Sequence, residues 1–174
     1  MKKVGIILGS SRKNSNSELI ANNLLQLSTN LELEIIDISN LELYSQDLDE
    51  KSPNSYQLFR NKVNEKEAII FITPEHNRSI PAVLKNALDI GSRPKGESVW
   101  EHKTALIIAH SLGQLGGSLA ARHLREILAF FDMKLIQQPE IYLSNFSGII
   151  ENGEIKKDTR DFLLSALNKI EKMN

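Results

Sequence analysis

The chain contains no cysteine, which excludes disulfides, thiolate metal sites and thiol catalysis. It has no excess of either charge: 21 basic and 22 acidic residues leave a formal net charge of −1 and a pI of about 6.4. Nucleic-acid binders usually carry a basic face, so this balance argues against one. It also argues against a small acidic electron carrier that docks by charge. No stretch approaches the roughly 18 apolar residues of a membrane span. The opening Met1-Lys2-Lys3-Val4-Gly5-Ile6-Ile7-Leu8 has the charged-then-apolar order of a secretion signal. It turns polar at Gly9-Ser10-Ser11-Arg12, too early for the apolar core such a signal needs. A cytoplasmic protein is the expectation. Internal repeats, low-complexity tracts and linkers are also missing. With 174 residues, 41% of them hydrophobic, the chain is expected to form one domain (1–174) with a substantial core.

What is present is alternation. Four apolar runs read as buried strands: Val4 to Leu8, Glu34 to Ile38, Ala68 to Thr73 and Thr104 to Ala109. A fifth runs from Lys134 to Gln137, with Glu140 to Leu143 as an extension. Continuous Ile/Val/Leu runs of this length fit strands covered on both faces. Between them, helical spacing runs over Ser17 to Leu27, Ser55 to Glu65, Pro81 to Ile90, Ser118 to Phe131 and Asp158 to Met173. Proline at a first-turn position, as at Pro81, is tolerated by helices. Alternation of this kind predicts an α/β three-layer sandwich: a five-stranded parallel sheet with helices on both faces. The flavodoxin-like strand order 2-1-3-4-5 is expected, and ligands in such sheets bind in the crevice at the strands' carboxyl ends. Residues Asn40 to Ser55 read as a surface loop.

Three loops leave that edge. The first, Gly9-Ser10-Ser11-Arg12-Lys13-Asn14-Ser15-Asn16-Ser17, joins a strand to a helix. Small polar residues let the backbone turn and supply donors. The first helical N–H groups and the helix dipole favour an anion, and Arg12 adds a charge-assisted donor. A helix cap needs one such residue; four serines, two asparagines and an arginine exceed that need. There is no Gly-x-x-x-x-Gly-Lys-Ser/Thr and no Gly-x-Gly-x-x-Gly, which disfavours a nucleoside triphosphate or a dinucleotide bound in the Rossmann manner. A terminal monophosphate, as in flavin mononucleotide, fits better.

The second loop is Thr73-Pro74-Glu75-His76-Asn77-Arg78-Ser79-Ile80-Pro81. Its two prolines restrict the backbone. The amides of Glu75, His76 and Asn77 are placed to meet the edge of a heteroaromatic ring. His76 is able to stack on a ring or to titrate near neutral pH. His, Asp and Glu do not cluster here at metal-ligand spacing. The third loop, His110-Ser111-Leu112-Gly113-Gln114-Leu115-Gly116-Gly117, again precedes a helix, and its glycines permit a close backbone approach to a ligand.

Together the three loops resemble those of the NADPH-dependent FMN reductase family, the flavodoxin-like group that includes quinone, chromate and azo-dye reductases. The family's Gly-Ser-x-Arg-x-x-Ser is similar to Gly9 through Ser15. Its Pro-Glu-Tyr-Asn-x-Ser-x-Pro-x-x-Leu-Lys-Asn-Ala-x-Asp is similar to Pro74 through Asp89. Its Ser-x-Gly-x-x-Gly-Gly is similar to Ser111 through Gly117, which lead into a helix carrying Arg122 and Arg125. Leu43 through Leu48 also resembles the family's loop after the second strand.

The resemblance implies bound FMN, with NADPH or NADH as hydride donor and quinone, azo, nitro, chromate or flavin acceptors. Ser10, Arg12, Ser15, Asn16 and Ser17 are implied to hold the phosphate and ribityl chain. Pro74, Glu75, His76 and Asn77 are implied to pass along the ring, and Ser111 and Gly113 to close the other side. No side chain is nominated as acid or base. A homodimer or homotetramer is implied as well. A non-enzymatic electron carrier and a flavin-binding redox-sensing module stand as alternatives. Two departures from the pattern are His76, where tyrosine is common, and Ile90-Gly91, where a tryptophan-containing pair is usual.

Overall fold

In the computed structural model, which describes residues 1–27 and 29–173, a parallel sheet runs through the middle of the molecule. Its strands are β1 (Lys2–Leu8), β2 (Leu31–Ile36), β3 (Ala68–Pro74), β4 (Thr104–His110), β5 (Lys134–Leu135) and β6 (Ile141–Leu143). The order is β2-β1-β3-β4-β5, with β6 also paired to β4. The helices are α1 (Asn16–Leu25), α2 (Asn54–Asn64), α3 (Ala82–Gly91), α4 (Ser118–Phe130) and α5 (Lys157–Lys172). The expected architecture and order are those observed.

Burial explains the layering. In β3 and β4 nearly every residue is buried, because helices cover both faces. One core packs α2, α3 and α4 on the sheet through Phe59, Leu84, Leu88, Leu124 and Leu128. The other packs α1 and α5 through Ile20, Leu24, Leu163 and Leu167. At the centre of the first core Trp100 is fully buried, donates from Nε1 to the Leu88 carbonyl at 3.0 Å and lies against Phe59, Phe71 and Phe131. A Cβ on Gly91 would come within 2.4 Å of this indole. The departure at Ile90-Gly91 therefore has a structural partner: the helix end is bare because a tryptophan from the following segment occupies the space.

β1, β3 and β4 extend one or two residues beyond the sequence reading, and two other strands differ from it more. The second strand begins at Leu31 and ends at Ile36, in register with Lys2 to Ile7 of β1. It is an edge strand whose Leu31, Leu33 and Ile35 face one core, while Glu34 turns to the other face and pairs with Lys62 and Lys66. An edge strand alternates, so a search for continuous apolar runs starts it too late. The fifth strand is broken: β5 pairs with Thr104 and Ala105, β6 with Ile108 to His110, and Pro139 between them has no N–H for the ladder. A hairpin of β7 (Ile150–Glu151) and β8 (Glu154–Ile155) was not anticipated. Its turn is Asn152-Gly153, both at positive φ, a pairing that favours tight hairpins. Helix boundaries agree within two residues.

Candidate active site

The carboxyl ends of β1, β3 and β4 converge on a cavity of about 380 Å³. Its first wall is the loop after β1. Gly9 donates its N–H to the Ile72 carbonyl at 2.7 Å, and a Cβ there would press on Thr73 and Ile72 at 3.1–3.2 Å. Glycine thus lets this loop lie directly on β3. Ser15 is the N-cap of α1: its Oγ accepts from the Glu18 N–H at 3.1 Å, and the Glu18 carboxylate accepts from the Asn14 N–H at 2.8 Å. The helix start is therefore organised locally, while the N–H groups of its first turn have no intrahelical acceptor. Ser10, Arg12, Ser15, Asn16 and Ser17 all line the cavity. Among the described residues Arg12 forms no ion pair with a carboxylate.

The opposite wall is apolar. It consists of Pro74, at the end of β3, and Pro81, Ala82 and Val83, at the start of α3, with His76 at the rim. Among the described residues no Asp or Glu lines the cavity. A polar, cation-bearing, acid-free wall faces an apolar one. That division suits an occupant with an anionic group at one end and a flat apolar body at the other. The residues present fit a flavin mononucleotide on these grounds.

Between Glu75 and Ile80 the second loop is a tight hairpin. His76 and Ser79 exchange both backbone hydrogen bonds, at 2.9 and 3.0 Å, around Asn77 and Arg78 at φ 50° and 68°. Positive φ at both tip positions is the requirement of such a turn; Asn77 meets it readily, and Arg78 meets it at a steric cost. The hairpin is fastened to α4 at two points. The Glu75 Oε2 accepts from the N–H groups of Leu119 (3.0 Å) and Ala120 (3.3 Å), and Ser79 Oγ lies 2.7 Å from His123 Nδ1. Glu75 thereby caps a helix whose own N-cap, Gly117, has no side chain.

Beyond His110, the third loop stands back from the cavity. Ser111 donates from Oγ to the Gly113 carbonyl, and its N–H donates to Leu143. Gly116 and Gly117, at φ 59° and 79°, approach the protein's own backbone, at Tyr142 and His110 respectively, rather than leaving space for a ligand. Of the predicted site residues, Ser10, Arg12, Ser15, Asn16, Ser17, Pro74 and His76 meet at the cavity wall. Glu75, Asn77, Ser111 and Gly113 lie outside it.

One lining residue had no role in the sequence reading. His110 closes β4 one position beyond the predicted end of that strand. It is only 4% exposed, packs its ring against Phe146 and places Nε2 2.8 Å from Ser17 Oγ. Burial pushes its pKa down to about 4, so the ring is neutral at pH 7. A polar residue ending an apolar strand at the ligand-binding edge was the available signal.

Comparison with known proteins agrees with this geometry. Residues 2–148 match the family described as NADPH-dependent FMN reductase. A quinone reductase of Pseudomonas putida is 38% identical over 169 residues, covering 95% of this chain and 91% of that protein. A 2-hydroxy-1,4-benzoquinone reductase of Burkholderia sp. is 39% identical over 170 residues, covering 96% and 93%. Among solved structures, FerB, a flavoenzyme NAD(P)H:(acceptor) oxidoreductase from Paracoccus denitrificans, superposes with a TM-score of 0.89 at 30% identity, covering 99% and 98%. With the family's loops folded around one acid-free cavity, the chain belongs to the NADPH-dependent FMN reductase family and is an oxidoreductase of FMN and NAD(P)H.

Proposed function

We propose that the cavity binds FMN and that the protein is a quinone reductase. The observation that carries the reading is the division of the cavity into a polar wall without carboxylates and an apolar wall. In this reading Ser10, Arg12, Ser15, Asn16 and Ser17 hold the phosphate and ribityl chain. Pro74 and the backbone of Glu75 and Asn77 run along the ring, with His76 at its rim. Ser111 and Gly113 shape the approach from β4. FMN held there would supply the two-electron chemistry that links NAD(P)H oxidation to quinone reduction. The chain's own part is to bind and orient: the α1 N-terminus and Arg12 fix the anion, and the apolar wall keeps water from one face. No side chain need carry a proton. The relatives' quinone substrates support this acceptor class over azo, nitro, chromate and free flavin acceptors.

The test is to reconstitute the protein with FMN and follow NADH and NADPH oxidation against a panel of those acceptors. Retained flavin and the highest kcat/KM with quinones are expected. Absence of bound flavin, or of quinone-dependent oxidation, would sink the reading.

The 174-residue chain is proposed to act as one domain, as a homodimer or homotetramer, in the cytoplasm, where NAD(P)H is kept reduced. Phe130 supports association: it is 85% exposed, at the end of α4 beside Phe131 and Ile127. Sedimentation at micromolar concentration should show no monomer. Among the described residues no helix is long and apolar enough to cross a membrane.

A further inference from the structure

Behind the α1 end of the cavity lies a buried polar pair of which the flavin reading uses Ser17 but not His110. Ser17, at the second position of α1, is buried behind the cavity wall it helps to form, and its Oγ is 2.8 Å from Nε2 of His110. The imidazole is held from several sides. Its ring packs on Phe146 with centroids 5.4 Å apart, its backbone is in register with Pro74, and a Cβ on Gly117 would lie 3.0 Å from its backbone nitrogen and oxygen.

A neutral imidazole has one N–H donor and one acceptor nitrogen, and burial keeps His110 neutral at pH 7. Two arrangements satisfy the bond. If Ser17 donates to Nε2, its oxygen presents only lone pairs to the cavity. If Nε2–H donates to Ser17 Oγ, the serine hydrogen is free to turn elsewhere. The other polar groups at this end can all donate: the first-turn N–H groups of α1, Arg12, the hydroxyls of Ser10 and Ser15 and the amide of Asn16. An occupant matched to such a wall is rich in acceptors, so only the second arrangement lets Ser17 join it.

We propose that His110 is a positioning residue for the phosphate of the bound cofactor: its Nε2–H donates to Ser17 Oγ and leaves the serine hydroxyl to donate to a phosphoryl oxygen. The inference rests on the FMN reading of the cavity. It links the end of β4 to the first turn of α1, so the fourth strand contributes to anion selection without touching the anion.

The experiment measures flavin fluorescence on titration into apoprotein, with FMN and with riboflavin, which lacks the phosphate. His110→Phe keeps an aromatic ring against Phe146 and removes the donor. It is expected to weaken FMN about tenfold and riboflavin less than twofold. Ser17→Ala should show the same FMN-selective loss, and the double variant should lose no more than Ser17→Ala alone. His110→Gln, which restores an N–H near the Nε2 position, should bind FMN within about threefold of wild type. Nitrogen NMR of the imidazole should find the proton on Nε2. The proposal is overturned if His110→Phe weakens both flavins equally or neither, if the two losses add, if His110→Gln behaves like His110→Phe, or if the proton is on Nδ1. Should His110→Phe not fold, Ser17→Ala, His110→Gln and the NMR measurement decide it. If wild type binds neither flavin, the cofactor reading has failed instead, and the tautomer still stands or falls by NMR.

Discussion

Two helices leave the carboxyl edge of the sheet toward the cavity region, and their N-termini are treated in opposite ways. At α1 the cap is local, from Ser15 and Glu18, and the first turn opens on an acid-free cavity. At α4 the first turn is closed by a carboxylate from a distant loop, Glu75, which takes the N–H groups of Leu119 and Ala120. A helix N-terminus attracts negative charge in either case. At α4 the protein supplies an anion to the first-turn N–H groups, whereas Glu18 in the first turn of α1 is turned to the Asn14 N–H and lines no part of the cavity. The internal anion does structural work by pinning the hairpin that borders the site. At α1 the first turn instead borders a cavity with no carboxylate among its lining residues, the feature on which the proposed anion site rests.

The largest effect expected separates the groups behind the two termini under acid. The α1 side is backed by the neutral His110–Ser17 pair, the α4 side by a charged carboxylate. The folded chain holds His110 at about 4 against an ordinary 6.5, so between those values the unfolded chain binds a proton that the folded chain refuses. Stability is full above about pH 6.5 and falls as pH drops through this window, by up to about 3 kcal/mol. Urea midpoints at pH 7 and pH 4.5 check this, and His110→Phe should show a smaller fall.

Next in size, an internal anion can be moved to α1. Asn16→Asp puts a carboxylate at a cavity-lining position of the first turn, imitating the arrangement at α4. FMN affinity should fall about 100-fold through like-charge repulsion, a change of about 2.7 kcal/mol. Thermal stability should hold or rise slightly, since a carboxylate near a helix N-terminus contributes about 0.3–1 kcal/mol. Fluorescence titration and thermal unfolding read the two effects separately; equal FMN affinity would erase the distinction between the termini.

The converse change is Glu75→Gln. It removes the charge from α4 and should destabilise the protein by about 1–2 kcal/mol in urea unfolding, with amide exchange accelerated in the hairpin. Smallest, Arg12→Ala should weaken FMN about tenfold, with an effect that shrinks in high salt, and should leave the urea midpoint unchanged. A loss of fold stability there would mean that Arg12 serves the protein rather than its ligand.

Much of this arrangement was readable in the residues. The apolar runs in β1, β3 and β4 are continuous because helices cover both faces, so their position and the layer order followed. The loop Ser10 to Ser17 was legible because its polar residues exceed what a cap requires. The edge strand β2 was misplaced because Glu34 within it pairs with a lysine of α2 and one of the segment after it, a packing fact. The fate of Glu75 was not legible either: a loop carboxylate looks solvated until α4, more than 40 residues later, is brought against it. The glycines of the third loop were expected to make room for a ligand, whereas Gly116 and Gly117 make room for Tyr142 and His110.

What the sequence by itself determined is periodic and local: which segments are strands and helices, that three polar loops share one edge, and the family whose motifs those loops carry. These follow from burial patterns and turn chemistry within short stretches of chain. The tertiary structure decided which side chains face the cavity and which are used up inside the protein. Glu75 and Ser17 illustrate the reason. Each is a polar residue in a predicted loop or first turn, yet one is turned onto α4 and the other onto His110, because a buried polar group must find its partner wherever folding brings one within reach.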